Sequence, residues 1–211
     1  MSDLWKVKMQ AHEKGYSILM QDKVNYISPE TMEVILNYIP SLMIRKWKDN
    51  DIQMLFKTLY FCALRPSEGI YLKKESFNLE DREIYLGQTK TKKNDVAHIP
   101  HIFIDELRTW LIFKEDGRLF DGLKYNTAWK WLDRMGRDLD IKAWQVTESE
   151  SNEKTKLHIF RKSVGKDMLN GLYGEKAKAI PVISKQLRHA KPSMTVDHYL
   201  KATLDTVKEA W

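Results

Sequence analysis

Apolar side chains recur at helical spacing in several stretches of this 211-residue chain, and the first stretch has a clear start signal. Ser28 provides an N-cap, and Pro29 suits the first helical position. The apolar stripe that follows consists of Met32, Ile35, Leu36 and Ile39, and Pro40 ends it. Because residues three and four apart share a helix face, this stripe is predicted to face a core.

The same reasoning predicts further helices along the chain. Asn50-Asp51 are expected to cap a helix whose core-facing residues are Ile52, Leu55, Phe56 and Leu59. A short amphipathic piece is expected around residues 43–47. Later helices are predicted at about 105–115, 126–139 and 157–171, then one opening at Pro181, one capped by Ser193, and an amphipathic tail at 203–211. The polar stretch 143–156 has no apolar period and is predicted to be a loop.

The apolar period changes between residues 77 and 100. Residues 83–88 and 95–100 alternate as strands do, and residues 77–79 are consistent with a third strand. The loop that joins the two longer strands carries Lys90, Lys92 and Lys93. The pattern therefore predicts a mainly helical α+β fold with a small three-stranded antiparallel sheet.

Composition excludes several classes of protein. No apolar run approaches the roughly 20 residues that a membrane helix needs, and the first residues lack the apolar core of a signal peptide. The only cysteine, Cys62, permits neither an internal disulfide nor a cysteine-rich metal site. These features lead us to expect a cytoplasmic protein that is not bound to a membrane.

Positive charge is concentrated in one part of the chain. Residues 154–202 hold 11 lysines and arginines and three acidic residues, whereas the other residues are slightly acidic in sum. A basic segment of this kind is typical of proteins that bind a polyanion. A solubilising surface is the alternative if charge is considered alone.

The basic segment also contains side chains suited to phosphodiester chemistry. His158 and Arg161 are three residues apart and can point to one spot, with His189 and a lone Tyr199 downstream. Arg65 lies at a junction between two predicted helices, where Pro66 restricts its backbone, and Glu68 follows one turn later. The histidines His98 and His101 have no third ligand nearby, so no metal site is predicted.

The set of candidates, taken in chain order, resembles the catalytic domain of the tyrosine recombinases, the phage integrase family. The motifs that carry the resemblance are Ala-Leu-Arg-Pro-Ser-Glu, Gln-Thr-Lys-Thr, His-Ile-Phe-Arg, Leu-Arg-His and Asp-His-Tyr-Leu. The corresponding catalytic residues are Arg65, Lys90, His158, Arg161, His189 and Tyr199. The resemblance implies a catalytic domain at 28–202, preceded by an arm or linker at 1–27 and followed by the C-terminal helix at 203–211.

The resemblance also implies a mechanism and partners. The two arginines would stabilise the phosphate and Tyr199 would attack it, forming a 3′-phosphotyrosyl link without a metal or other cofactor. Lys90 is the expected general acid. His158 is the expected general base or proton shuttle and His189 the expected hydrogen-bond donor to the phosphate, although the two histidine roles could be exchanged. Glu68 is expected to support the arginines. Backbone contacts to double-stranded DNA are expected from Lys92, Lys93, Arg188 and Lys191.

Three departures from the family pattern stand out. Arg188 occupies the position before the second histidine, where the family usually has glycine, and could either contact phosphate or crowd the site. The interval from His189 to Tyr199 is about one residue longer than usual. The arm of 27 residues is shorter than the usual N-terminal core-binding domain, so we expect a minimal recombinase or an excised catalytic domain with weakened DNA affinity.

Several alternatives remain open at this point. An inactive DNA-binding protein could retain the same fold, and a type IB topoisomerase or a telomere resolvase would use the same chemistry. A purely structural helical protein leaves the basic segment unexplained. The C-terminal helix is expected either to pack on its own core or to join four protomers on DNA, with a monomer or weak oligomer in the absence of DNA.

Overall fold

The computed structural model describes residues 26–88, 94–139, 141 and 157–199, although the side chains of Gln88, Asn94 and residues 197–199 are not included. Three predictions lie outside the described residues: the lysine-bearing loop at 89–93, the polar loop at 143–156 and the C-terminal helix at 203–211. Most of the predicted arm at 1–27 also lies outside them.

Helices dominate the described part of the chain. Its α-helices are α1 Pro29–Tyr38, α2 Asp49–Phe61, α3 Pro66–Ile70, α4 His101–Ile112, α5 Tyr125–Asp138, α6 Ile159–Leu169, α7 Ile180–Gln186 and α8 Pro192–Tyr199. Short 3-10 helices lie at Ile39–Leu42, Lys74–Ser76 and Glu175–Lys178. None of the described helices is long and apolar enough to cross a membrane.

The start of α1 follows its sequence signal. Ser28 is the N-cap, and its hydroxyl accepts a hydrogen bond of 3.2 Å from the Thr31 backbone N–H. The predicted stripe is also correct at Met32 and Ile35, which are fully buried.

Several helix starts differ from the predictions. Helix α8 begins at Pro192, so Ser193 lies in its first turn and is not its cap. Helix α2 begins at Asp49, before the predicted cap, and Lys48 takes the N-cap position. Asp51 therefore lies in the first turn, where a carboxylate is favourable, and it accepts a hydrogen bond of 2.9 Å from the Trp110 indole. Helix α4 begins at His101, earlier than predicted, because Pro100 provides an extended N-cap.

The amphipathic piece expected at 43–47 is a non-helical turn in which Ile44 and Trp47 pack against the core. The preceding 3-10 helix ends at Leu42, and Met43 adopts a left-handed backbone conformation with φ 51°. Its side chain is 82% exposed. The left-handed residue ends the helical run, and the backbone after it forms a turn.

The predicted sheet is confirmed. Strands β1 Phe77–Asn78, β2 Glu83–Gln88 and β3 Asn94–His98 pair antiparallel in the order β1-β2-β3. The β2–β3 register pairs Glu83 with His98 and Tyr85 with Val96, and an irregularity follows between Tyr85 and Gln88. The mainly helical fold class with a small antiparallel sheet is thus correct.

Two apolar clusters organise the packing. The larger one joins helices α1 to α5, the sheet and the start of α6, and includes the stacked rings of Phe56 and Phe160 at 5.3 Å. The smaller one lies where α6 packs against α7. Its buried members are Ala63, Val164, Met168, Ile183 and Leu187. The smaller cluster lies beside the segment that leads into Arg65 and therefore supports the candidate site.

A polar cluster is enclosed within α6 and its neighbours. The Asp167 carboxylate is 1% exposed and accepts hydrogen bonds from Tyr26 at 2.7 Å and Tyr60 at 2.5 Å. The Ile27 backbone N–H donates to the Ser163 hydroxyl at 2.8 Å. These bonds fasten residues 26 and 27 onto the helix that carries Arg161.

Candidate active site

Arg65 is held at the junction between α2 and α3. It is the N-cap of α3 and has extended backbone angles, as expected for a residue that precedes proline. Glu68 accepts two hydrogen bonds of 2.6 Å, one from the Arg65 backbone N–H and one from its Nη1. The Arg65 side chain remains 39% exposed, so a rigidly placed guanidinium reaches the solvent.

Arg161 lies on the first turn of α6 and is 7% exposed. Its Nη1 donates a 2.5 Å hydrogen bond to the backbone carbonyl of Ala63, two residues before Arg65. Ala63 has a left-handed conformation with φ 51°, which is uncommon outside glycine. The bond joins the two segments that carry the candidate phosphate-binding arginines.

His158 is the residue directly before α6 and occupies its N-cap position. Burial is the main cause that lowers the pKa of its imidazole, and the charges of Arg161, Arg65 and Lys162 lower that pKa further. Glu68 acts in the opposite direction. A histidine with a lowered pKa is neutral at pH 7, and a neutral imidazole can accept a proton.

His189 follows the end of α7. Its Nδ1 lies 2.8 Å from the Thr195 hydroxyl, and Thr195 is fully buried in α8. The backbone N–H of His189 donates to the Ser184 carbonyl at 3.0 Å. The ring is thus oriented by the same helix that carries Tyr199.

An open cleft of about 590 Å³ separates the sheet from α7 and α8. His189, Arg188 and Lys185 line it on the helical side, and Asp95 and Glu83 line it on the sheet side. The Gln186 side-chain amide donates to the His98 carbonyl at 3.2 Å and ties the two sides together. Among the described residues, no group of three or more His, Cys, Asp or Glu could hold a metal ion.

The remaining predicted site residues are placed less fully. Tyr199 is the last residue of α8, and its side chain is not described. Lys90, Lys92 and Lys93 lie outside the described residues. Lys191 is exposed immediately before α8. The structure therefore brings together Arg65, His158 and Arg161, and it places His189 in the turn before α8 and Tyr199 at the last residue of α8.

Arg188 does not fit the expectation of a DNA backbone contact. Its side chain is 4% exposed and forms ion pairs with Glu68 and with Asp95, the latter at 3.1 Å between Nε and Oδ2. Burial lowers the pKa of its guanidinium, whereas the two carboxylates raise it. Because its guanidinium is buried and paired with two carboxylates, Arg188 is an ion-pairing residue of the interior in this structure.

Sequence reasoning missed Asp95 as a member of the site. Its Oδ2 lies 3.6 Å from Arg65 Nη1 and 3.1 Å from Arg188 Nε. Asp95 belongs to the second strand of a hairpin, 30 residues after Arg65, and its local sequence has no feature that indicates an arginine partner. The buried Asp167 was missed as well, although an acidic residue within the apolar pattern of α6 was a usable signal.

The mainly helical fold with its small antiparallel sheet is the fold of integrase catalytic domains. Residues 25–205 match the Phage integrase family, and the chain belongs to that family. Its fold is that of the tyrosine recombinase catalytic domains. No curated protein sequence shows a significant match to this chain.

Solved structures with a similar fold include an integrase domain and a site-specific recombinase, both of low sequence identity. The catalytic domain of bacteriophage HP1 integrase has a TM-score of 0.57 and 19% identity, with 87% of this chain and 95% of that chain covered. XerH site-specific recombinase bound to palindromic difH substrate has a TM-score of 0.61 and 19% identity over 84% of this chain. This chain spans 50% of the length of XerH.

A transposon protein shares the fold as well. The Tn1549 transposon integrase, in complex with transposon right end DNA, has a TM-score of 0.55 and 12% identity. The alignment covers 90% of this chain and 67% of that chain. The fold thus occurs in integrases of a bacteriophage and of a mobile element.

Proposed function

We propose that this protein is a site-specific DNA recombinase that cleaves and rejoins DNA strands through a 3′-phosphotyrosyl intermediate. The observation that carries the proposal is the convergence of Arg65, His158 and Arg161. Arg161 is hydrogen-bonded to Ala63, and the charges of both arginines act on His158. Two guanidiniums beside a neutral imidazole suit a phosphodiester, because arginine offers paired donors to non-bridging oxygens.

Cleavage in this proposal is a transesterification. The Tyr199 hydroxyl oxygen attacks the phosphorus, and its proton passes to a neutral base as the phosphorus–O5′ bond breaks. The departing 5′ oxygen takes a proton from Lys90, leaving a free 5′ hydroxyl and a 3′-phosphotyrosyl ester. Reversal of these steps by another 5′ hydroxyl rejoins the strand. Arg65 and Arg161 stabilise the additional negative charge of the transition state.

The environments of the two histidines favour different roles. The lowered pKa of His158 suits a group that accepts the tyrosine proton near neutral pH. His189 has one ring nitrogen occupied by Thr195, which orients the ring to donate from its other nitrogen to the phosphate. The reaction as written uses no metal ion, so we expect it to persist in a chelator.

Double-stranded DNA is the proposed partner, and the basic segment 154–202 would contact its phosphates. Lys191 and the lysines of the hairpin loop are the proposed backbone contacts. We further propose that four protomers assemble on two duplexes through the C-terminal helix, with Leu204, Val207 and Trp211 as its apolar anchor. A Trp211→Ala variant should then lose the largest complex on DNA in a sedimentation experiment while retaining binding of one protomer.

A nicked suicide substrate tests the enzymatic proposal. Cleavage next to the nick releases a short fragment, so religation is prevented and the covalent complex accumulates as a shifted band on a denaturing gel. Wild type should form this band, and Tyr199→Phe should not. Tyr71→Phe is a matched control, because Tyr71 is 62% exposed and lies outside the proposed site.

The other outcomes distinguish the alternatives. A band with both wild type and Tyr199→Phe would move the nucleophile to another residue, with Tyr125 and Tyr173 to be tested next. DNA binding without a band would favour an inactive binding protein. Relaxation of supercoiled DNA without any special site would favour a topoisomerase.

A further inference from the structure

Arg188 combines an uncommon backbone conformation with a buried side chain. Its φ of 47° lies in the left-handed region, which glycine adopts without strain and arginine does not. The Arg188 side chain is only 4% exposed. Its Nη1 is buried as well and has no hydrogen-bond partner among the described residues. The strained position therefore delivers a cation into the interior of the site.

The side chain of Arg188 ends between two carboxylates that also hold Arg65. Arg188 Nη2 pairs with Glu68 Oε2, and Arg188 Nε lies 3.1 Å from Asp95 Oδ2. Arg65 Nη1 lies 2.6 Å from Glu68 Oε1 and 3.6 Å from Asp95 Oδ2. The four side chains form one alternating cluster whose formal charges cancel.

Removal of Arg188 would leave two carboxylates facing a single arginine. The formal charge of the remaining three groups would be negative, and Arg65 would offer less positive potential to a phosphate. The pair of Arg188 and Glu68 is largely buried, so solvent screens its charges less than those of a surface pair. The cation at position 188 thus balances the negative charge that fixes Arg65 in place.

The cluster also connects three segments of the chain. Glu68 belongs to α3, Asp95 to β3 and Arg188 to the turn between α7 and α8. The first and the last of these segments lead directly to Arg65 and to His189. The shared ion-pair cluster therefore sets the relative positions of Arg65 and His189, two proposed catalytic groups that are distant in sequence.

We propose that Arg188 is a positioning residue for Arg65, acting by neutralising Glu68 and Asp95 and by bracing the hairpin against the turn that carries His189. The proposal rests on the proposed recombinase function for its effect on cleavage. It does not require Arg188 to contact DNA, since its guanidinium is buried and paired with both carboxylates.

Single-turnover cleavage of the nicked substrate by the full chain tests this role. Arg188→Gly suits the left-handed backbone and removes only the side chain, and we expect it to slow formation of the covalent product by roughly tenfold to a hundredfold. The cleavage rate of Arg188→Lys should fall between those of wild type and Arg188→Gly, because lysine keeps the charge and lacks the planar fork. Arg108→Ala is the matched control, since it removes an exposed arginine that pairs with Asp105.

The double variant Arg188→Gly with Asp95→Asn separates charge balance from packing. Removing one carboxylate restores the balance around Arg65, so the double variant should cleave about tenfold faster than Arg188→Gly alone. If Arg188 acted through packing alone, the double variant would not recover its cleavage rate. That result would overturn the proposal. Cleavage by Arg188→Gly at the wild-type rate would overturn it as well.

DNA binding provides an independent arm. A positioning residue leaves the slope of log affinity against log salt unchanged, whereas loss of a phosphate contact reduces that slope by about 0.9. A reduced slope for Arg188→Gly would therefore overturn the proposal and restore Arg188 as a DNA contact.

Thermal unfolding without DNA tests the brace separately from the enzymatic function. Arg188→Gly should lower the Tm by about 5 to 10 °C, and by clearly less in the Asp95→Asn background. An equal loss of Tm in the wild-type and Asp95→Asn backgrounds would overturn the proposed coupling between Arg188 and Asp95. A wild-type chain that forms no covalent product but shows this coupling would contradict the proposed function and support the brace.

Discussion

The buried carboxylate of Asp167 predicts an unusual pH dependence of stability. Burial is the main cause that raises the pKa of this group from 3.8 to about 7, against the opposing hydrogen bonds from Tyr60 and Tyr26. The folded protein therefore binds a proton more tightly than the unfolded chain does. The contribution of Asp167 to the free energy of unfolding is fully present below about pH 4. It falls as pH rises between about 4 and 7, and it is lost above about pH 7.

The magnitude follows from the size of the shift. Each unit of pKa difference corresponds to about 1.4 kcal/mol, so this carboxylate should reduce the free energy of unfolding by about 2.5 kcal/mol between pH 5 and pH 8. Asp167→Asn cannot ionise and should remove that reduction. The variant should be less stable than wild type at pH 5, because an amide replaces the carboxyl partner of two tyrosines.

Urea unfolding at pH 5 and pH 8, followed by tryptophan fluorescence, measures the effect directly. The difference in free energy between wild type and Asp167→Asn should change by about 2.5 kcal/mol between the two pH values, in favour of the variant at the higher pH. Asp105→Asn is the control for the change from carboxylate to amide, because that side chain is 88% exposed. A constant difference for Asp167→Asn would refute the reasoning.

Four further predictions concern the proposed site. Lys162→Gln removes a cation that lowers the pKa of His158, so the acid limb of the cleavage rate should move to higher pH; an unchanged profile would exclude His158 as the base. Arg161→Lys should slow cleavage about a hundredfold, because lysine cannot keep the Ala63 bond and contact a phosphate with a planar fork; single-turnover rates check this. Lys191→Ala should reduce the salt slope of DNA binding by about 0.9, measured by fluorescence anisotropy. Chelation with EDTA should change the cleavage rate by less than about twofold, and a complete loss would contradict metal independence.

Local signals were sufficient where the physical cause is local. Ser28 and Pro29 predicted the start of α1, because capping depends on the residue itself and on the next backbone N–H groups. The change to alternating apolar residues predicted the hairpin, because the alternation of side chains along a strand is also a local property. The end of the helical run at Met43 was not predicted, because apolar spacing does not encode the left-handed backbone conformation of that residue.

Long-range pairing accounts for what the sequence could not predict. Arg188 looked like a surface cation within a basic segment, yet its partners Glu68 and Asp95 lie 120 and 93 residues away in the chain. The pKa of Asp167 likewise depends on its burial and on its hydrogen bonds from Tyr26 and Tyr60, which exist only in the folded chain. Ion-pair and burial effects of this kind depend on the assembled fold, whereas helical periodicity does not.

Mass spectrometry of the trapped complex tests the central claim most directly. The full chain is incubated with the nicked substrate, digested with protease and nuclease, and searched for a peptide that carries a nucleotide. The account predicts one modified residue, Tyr199, joined to the 3′ phosphate, with a free 5′ hydroxyl on the released fragment. A nucleotide on any other residue, or linkage to a 5′ phosphate, would contradict it.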